Sequence, residues 1–146
     1  MIIKNKNLNE VSKEIIRLKK EDKEIVVIAQ DDDFNRKIVE NSNVDVLLGL
    51  EIHDRKDYLK QRDSGLNEIL CRLAKKNNVK IGIDLKNIVK LNNVEKAKVL
   101  SRVRQNIKLC RRVGTEIIVY GNGFSKLDIK SFLISLGASS QQTKII

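Results

Sequence analysis

Proline and tryptophan are absent from all 146 residues, and aromatic side chains come to 3%. With two Tyr and three Phe the chain has no set of rings on which successive unpaired bases could stack. Histidine occurs once, as His53, which excludes a metal centre built on histidines and leaves only carboxylates for any hydrolytic site. The two cysteines, Cys71 and Cys110, lack CxxC spacing and fall inside helical patterns, so they are read as small apolar groups rather than metal, redox or disulfide partners. The longest apolar runs, IVVIA (25–29) and VDVLLGL (44–50), are far short of the roughly 20 residues that span a bilayer. The opening MIIKNKNLNE has no apolar signal core or small-residue cleavage site, and the expected location is cytoplasmic.

Charge of one sign is what the chain has in surplus. Lys and Arg number 29 against 19 Asp and Glu, a net charge of +10 with a pI near 9.7. Such an excess calls for an anionic partner, most commonly nucleic acid for a soluble domain, although charge alone leaves acidic proteins and membrane surfaces open. With 41% hydrophobic and 33% charged residues, the composition is that of a chain that folds in water.

Short β-branched runs alternate with helical patterns. Strands are expected at 24–29, 44–49, 79–84 and 115–121, and helices at 32–42, from about Leu66, from about Val94 to Arg112, and at 128–137. Leu66, Ile69, Leu70, Leu73 and Ala74 keep helical spacing, with Asp63 or Ser64 placed to cap that helix. Gly114 and Gly137 stand where a helix end needs a left-handed residue. Residues 1–4 could add a strand and 8–20 a helix. Apolar strands separated by helices imply an α/β domain over 1–138 with a mostly parallel sheet covered on both faces. The polar tail 139–146 is either irregular or adds a short strand. Four to six βα units fall short of the eight of a full barrel, so a shortened, TIM-barrel-like fold and an open doubly wound parallel sheet are both admitted.

The candidate sites are few. In VEKAKVLSRVRQNIKLCRRVG, Val99, Leu100, Val103, Ile107 and Cys110 share one helical face, while Lys98, Arg102, Arg104, Lys108, Arg111 and Arg112 spread over much of the other. An ordinary solvated face usually interleaves both signs; this row has almost no acid after Glu95 and suits phosphate contacts. Asp31, Asp32 and Asp33 follow a strand, where enzymes often hold catalytic groups, but favourable charge at a helix N-terminus explains them more simply. Ser64 lies in D-S-G without a nucleophile elbow, and GNGF (121–124) matches no phosphate-binding glycine motif. No catalytic or metal-ligating set emerges. RNA would be bound through phosphate, sugar and shape.

The segments RKDYLKQRDSGLNEILCRLAKKNNVKIGIDL (55–85), VLSRVRQNIKLCRRVGTEIIV (99–119) and LISLGA (133–138) resemble, in order and spacing, archaeal ribonuclease P protein component 3, a family related to the thirty-kilodalton subunit of the eukaryotic enzyme. The resemblance implies a barrel-like α/β fold related to the PHP phosphoesterases, and a non-catalytic part in removing the 5′ leader of precursor tRNA. It implies as partners component 2 and the ribonuclease P RNA, with precursor tRNA touched indirectly and no membrane partner. Catalysis would belong to the RNA with Mg²⁺, and the protein would bind no cofactor. By likeness, Arg55, Lys56, Arg62, Ser64 and Asn67 occupy a signature loop and helix start, and Arg102 and Arg104 a second motif. With Lys108, Arg111 and Arg112 the cations form the expected RNA-binding set, and Asp57 and Asp63 either hold them in fixed geometry or simply lock the loop through Arg55–Asp57 and Arg62–Asp63 pairs. Glu68 stands where the family usually has histidine, G-I-D lacks a common aromatic, and the chain is shorter than typical members. Two other readings are a divergent PHP-like metal-dependent phosphoesterase working through carboxylates and a module that binds only protein.

Overall fold

The structure is a computed structural model and describes residues 1–144. The strands among them are β1 (Ile2–Ile3), β2 (Val26–Ile28), β3 (Val46–Leu48), β4 (Lys80–Asp84) and β5 (Ile117–Tyr120). The helices are α1 (Leu8–Lys20), α2 (Asp32–Val39), α3 (Glu68–Lys76), α4 (Leu85–Ile88), α5 (Asn93–Val113) and α6 (Lys126–Ser135). In place of proline, the chain opens its helices with Asn, Asp and Ser: the side chains of Asn7, Asp31, Asn67, Asn92 and Ser125 each accept a backbone N–H of the first turn, a contact worth about 1 kcal/mol. Asp31 thus has a structural role at α2. The cap of α3 is Asn67, not Asp63 or Ser64, because Ser64 is drawn into the preceding loop and buried. The short α4, capped by Asp84, is an element that apolar periodicity did not reveal.

All strand pairings are parallel, and the strands lie side by side in chain order. A doubly wound sheet reverses its order at a switch point. This one never does, so the open doubly wound alternative is set aside in favour of a barrel-like arc. Right-handed crossovers between sequential neighbours put every connecting helix on the same side, and burial follows that geometry. Val27, Leu47, Ile81, Ile83 and Ile117 join helix residues such as Val11, Ile15, Ile38, Cys71 and Val103 in one large core. Each such fully buried side chain contributes roughly 1.5–3 kcal/mol. The opposite face holds a second, smaller cluster, Val26, Val46 and Leu48 with Ile28, Ile118 and Tyr120, made of strand residues alone. Helices therefore cover one face and not the expected two.

Gly82 lies on that inner face, where a Cβ would sit 2.8 Å from Val46 Cγ1 and 2.9 Å from Leu48 Cδ1. Side chains of β3 lean across the space that any larger residue would need. Gly82→Ala should cost about 1–3 kcal/mol by overpacking, seen as a lower urea midpoint with an unchanged slope.

Ile69, assigned by its spacing to the core stripe of α3, is 67% exposed, whereas Leu70, Cys71 and Ala74 are buried. Cys71 and Cys110 are both free and buried where α3 meets α5. Gly114 ends α5 at φ 84°, and the Lys75 ammonium donates to the Val113 carbonyl at 3.0 Å across the same junction. In the tail, the Gln142 side-chain amide donates to the Ile107 carbonyl at 3.0 Å, and Thr143 is buried. The short strand that Ile145 and Ile146 could add lies outside the described residues.

Candidate nucleic-acid interface

At the carboxyl ends of the strands, where α/β folds present their functional loops, a long connection runs from Gly49 after β3 to Asn67 before α3. Its organiser is Arg102. This side chain was expected on the cationic exterior of α5 as an RNA contact; it is 2% exposed and points into the loop. Its Nη1 donates to the carbonyls of Glu51 (3.4 Å) and His53 (3.2 Å), and its Nη2 to that of Arg55 (3.0 Å). Its Nε stands 3.5 Å from the Asp57 carboxylate. A planar fork of fixed donors thus gathers three successive alternate carbonyls and one acid.

Asp57 is the second centre. Its Oδ2 accepts from Arg62 at 2.7 Å and its Oδ1 from the Asp63 backbone N–H at 2.8 Å. Lys98 lies 4.0 Å away. The Arg62 hydrogen bond above all, with help from the Asp63 N–H and Arg102, holds the Asp57 carboxyl down at about 2. Arg55 pairs with Asp32 (2.6 Å) and more loosely with Asp63 (3.8 Å). The expected Arg55–Asp57 and Arg62–Asp63 locks are therefore crossed: Arg62 reaches back to Asp57, and Arg55 turns to Asp63 and α2. Asp63 Oδ1 and Ser64 Oγ receive the N–H groups of Gly65 and Leu66, closing the chain onto α3.

Glu51 and His53 were not singled out in the sequence as buried site residues. Glu51 is fully buried; its Oε1 accepts from the Asp84 N–H at 2.8 Å, and its Oε2 has no partner among the described residues. Burial pushes its carboxyl up to about 7, against the pull of that N–H. His53 Nδ1 accepts from the Arg55 N–H at 3.0 Å. Burial, then Arg102 and Arg55, lower its pKa, so the neutral ring is favoured.

These groups do not fit a metal. Asp31 and Asp84 cap helices, Glu51 is a single carboxyl held in a neutral-favouring pocket, and Asp57 is engaged by cations. Among the described residues no group of three or more His, Cys, Asp or Glu could hold an ion.

Outside the loop, Arg104, Lys108 and Arg111 are exposed at i, i+4 and i+7 on one stripe of α5. Among the described residues none of the three has an acidic partner within 4 Å; Arg111 only reaches the Gly137 carbonyl at 3.4 Å. Arg112 is held 3.8 Å from Glu68, which also pairs with Arg72 at 2.6 Å. Glu68 thus takes up two cations of the α3–α5 surface. Lys56 is exposed on the loop, whose tip carries Tyr58 at 71% and Leu59 at 101% exposure. Asn67 remains at its cap. The structure thus divides the expected set: Arg102 is internal, Arg55 and Arg62 are engaged by acids of the loop and α2, and Arg104, Lys108 and Arg111 form a free cationic stripe.

No described helix is long and apolar enough to cross a membrane. A solved chain from an archaeal ribonuclease P bound to mature tRNA superposes with a TM-score of 0.80 at 23% identity, covering 99% of this chain and 62% of that one. Curated relatives described as ribonuclease P protein component 3 include one from Methanococcus vannielii, 28% identical over 99% of this chain and 62% of its own. Another, from Methanococcus maripaludis strain C6, is 30% identical over 88% of this chain and 53% of its own. The chain thus spans between half and two thirds of the length of these relatives. Residues 3–137 match the RNase P subunit p30 family, and the chain belongs to that family.

Proposed function

We propose that this chain serves as a protein subunit of ribonuclease P, binding the catalytic RNA through the free stripe of α5 and pairing with component 2 in the cytoplasm. In that role it supports removal of the 5′ leader from precursor tRNA without cutting RNA itself; the RNA with its Mg²⁺ carries the chemistry, and the protein holds no cofactor. The observation that carries the reading is the pairing state of the cations. Arg104, Lys108 and Arg111 line one exposed stripe of α5 with no acid interleaved among them, while the cations around them at Arg72, Arg102 and Arg112 are matched with acids. Guanidinium and ammonium groups at this spacing fit successive phosphates, and the loop locked by Arg102 gives them a stiff neighbour. The donor set at the strand ends, unsuited to a metal, removes the support from the phosphoesterase reading.

The test is the salt dependence of binding to ribonuclease P RNA. With the three or four phosphates that the stripe and the exposed Lys56 can engage, affinity should fall roughly 40- to 150-fold between about 50 and 200 mM salt. Arg104→Glu with Lys108→Glu should lower the slope of log K against log salt by about one per residue, with thermal stability unchanged. A slope near zero for the native chain would contradict the proposal.

A further inference from the structure

Tyr58 stands 71% exposed at the turn of the loop between β3 and α3. The turn beneath the ring is held: the Gln61 N–H donates to the Tyr58 carbonyl at 3.3 Å, and the two residues form an isolated antiparallel bridge. Asp57, one residue ahead, is fixed by Arg62 and by the Asp63 N–H. Beside the ring lies a cavity of about 220 Å³ between the loop, the start of α3 and the flank of α5, with Asp32, Arg55, Arg62, Asn67 and Gln105 among its walls. It is smaller than the roughly 300–1,000 Å³ of a site for a drug-sized molecule, so it has room for one flat ring system and not for a stacked run of them.

The charges decide what such a cavity can take. Arg55 is matched by Asp32 at 2.6 Å and Asp63 at 3.8 Å, and Arg62 by Asp57 at 2.7 Å. A phosphate entering here would meet no surplus of positive charge and would have to displace a carboxylate. A nucleobase is uncharged and asks for something else, a flat face to stack on and polar groups at its edge. Tyr58 supplies a ring, and the guanidinium planes of Arg55 and Arg62 supply further flat faces. For the edge there is Gln105, whose buried Oε1 has no hydrogen-bond partner among the described residues. Its terminal amide is free to turn either oxygen or nitrogen to a ligand. Gln105 directly follows Arg104 on α5, so a strand whose phosphates track the cationic stripe passes the mouth of the cavity.

We propose that this cavity holds one unpaired base of the bound RNA, stacked on Tyr58 and met at its edge by Gln105, while Arg104 and Lys108 take the flanking phosphates. The inference rests on the RNA-binding reading given above and adds a contact that requires an unpaired nucleotide, which phosphate contacts alone do not. One ring serves one base, in keeping with a chain too poor in aromatics to stack several.

The test compares a short single-stranded RNA carrying 2-aminopurine with the same backbone made abasic, each titrated against the full chain. The native chain should quench the 2-aminopurine fluorescence and bind the base-bearing strand roughly 5- to 150-fold more tightly than the abasic one. Tyr58→Ala should remove the quenching and most of that preference, and Tyr58→Phe should restore both. Because the ring neutralises no phosphate, Tyr58→Ala should leave the salt slope unchanged, whereas Arg104→Glu with Lys108→Glu lowers it. Gln105→Leu should weaken the base-bearing strand and not the abasic one. Leu59→Ser, at the adjoining 101% exposed position, should change neither. Urea unfolding of each variant separates lost binding from lost folding. Equal binding of both strands with a normal salt slope would overturn the cavity assignment and leave the RNA-binding reading standing; binding of neither strand would overturn both. A Tyr58→Ala variant that keeps its preference for the base-bearing strand but loses its hold on component 2 would assign the loop tip to protein and overturn the proposal.

Discussion

Arg102→Met will destabilise the protein by about 3–5 kcal/mol, a large share of the roughly 5–15 kcal/mol of a typical domain. Methionine keeps much of the apolar stem and removes the guanidinium, so the carbonyls of Glu51, His53 and Arg55 lose their donor and Asp57 loses one of its cations inside the fold. The damage should be concentrated in 51–63, with faster amide exchange there before the helical core opens. Arg104→Met, two residues away on the exposed stripe, should stay within about 0.5 kcal/mol. Urea unfolding of both variants checks the contrast; equal effects would place Arg102 in the same class as its surface neighbour. Reversing both arginines to glutamate therefore cannot serve as a clean test of RNA binding, because the first change breaks the loop.

Glu51→Gln will stabilise the protein in a strongly pH-dependent way. The carboxyl rises from its ordinary 4.5 to about 7 on folding. Between those values the unfolded chain has released the proton and the folded chain still holds it, so stability falls as pH rises through the window, by roughly 3 kcal/mol when complete. His53 works in the opposite direction: its lowered pKa means that the unfolded chain binds more protons just below 6.5, and stability rises with pH there. The difference between native and variant cancels that contribution. Glutamine keeps an oxygen for the Asp84 N–H and carries no charge. Variant minus native stability should be near zero at pH 4 and reach about 2–3 kcal/mol in favour of the variant at pH 8. A difference that does not change with pH would show that Glu51 is solvated in its ionised form.

Much of the fold was legible because its signals are local and periodic. The strands around Val26, Val46, Ile81 and Ile118 are short apolar runs between turns, the helices open on side-chain caps, and α5 and α6 run out at Gly114 and Gly137. What periodicity misreads is a polar residue inside an apolar stripe. Val99, Val103, Ile107 and Cys110 bracket Arg102 and Asn106, and the spacing 99, 102, 103, 106, 107, 110 is the buried face of α5. The signal was present, and the charge of Arg102 overrode it. Ile69 is the converse, an apolar residue that helical spacing alone could not keep out of solvent. The crossed ion pairs of the loop were not readable, since which acid meets which base depends on how the chain turns at Tyr58–Gln61, where the Gln61 N–H donates to the Tyr58 carbonyl. The bare inner face was hidden for a different reason: one sequence of alternating strands and helices serves both a sheet covered on two sides and a wall of a barrel, and only strand order separates them.

The most direct test of the functional account is cleavage of precursor tRNA by a reconstituted archaeal ribonuclease P in which component 3 is replaced by this chain, beside reactions without it and with the chain alone. Faster release of the 5′ leader on adding the native chain, loss of that gain with Arg104→Glu and Lys108→Glu, and no cleavage by the chain alone are the predicted results. Leader release unchanged by the chain, or cleavage by the chain in the absence of the RNA, would contradict it.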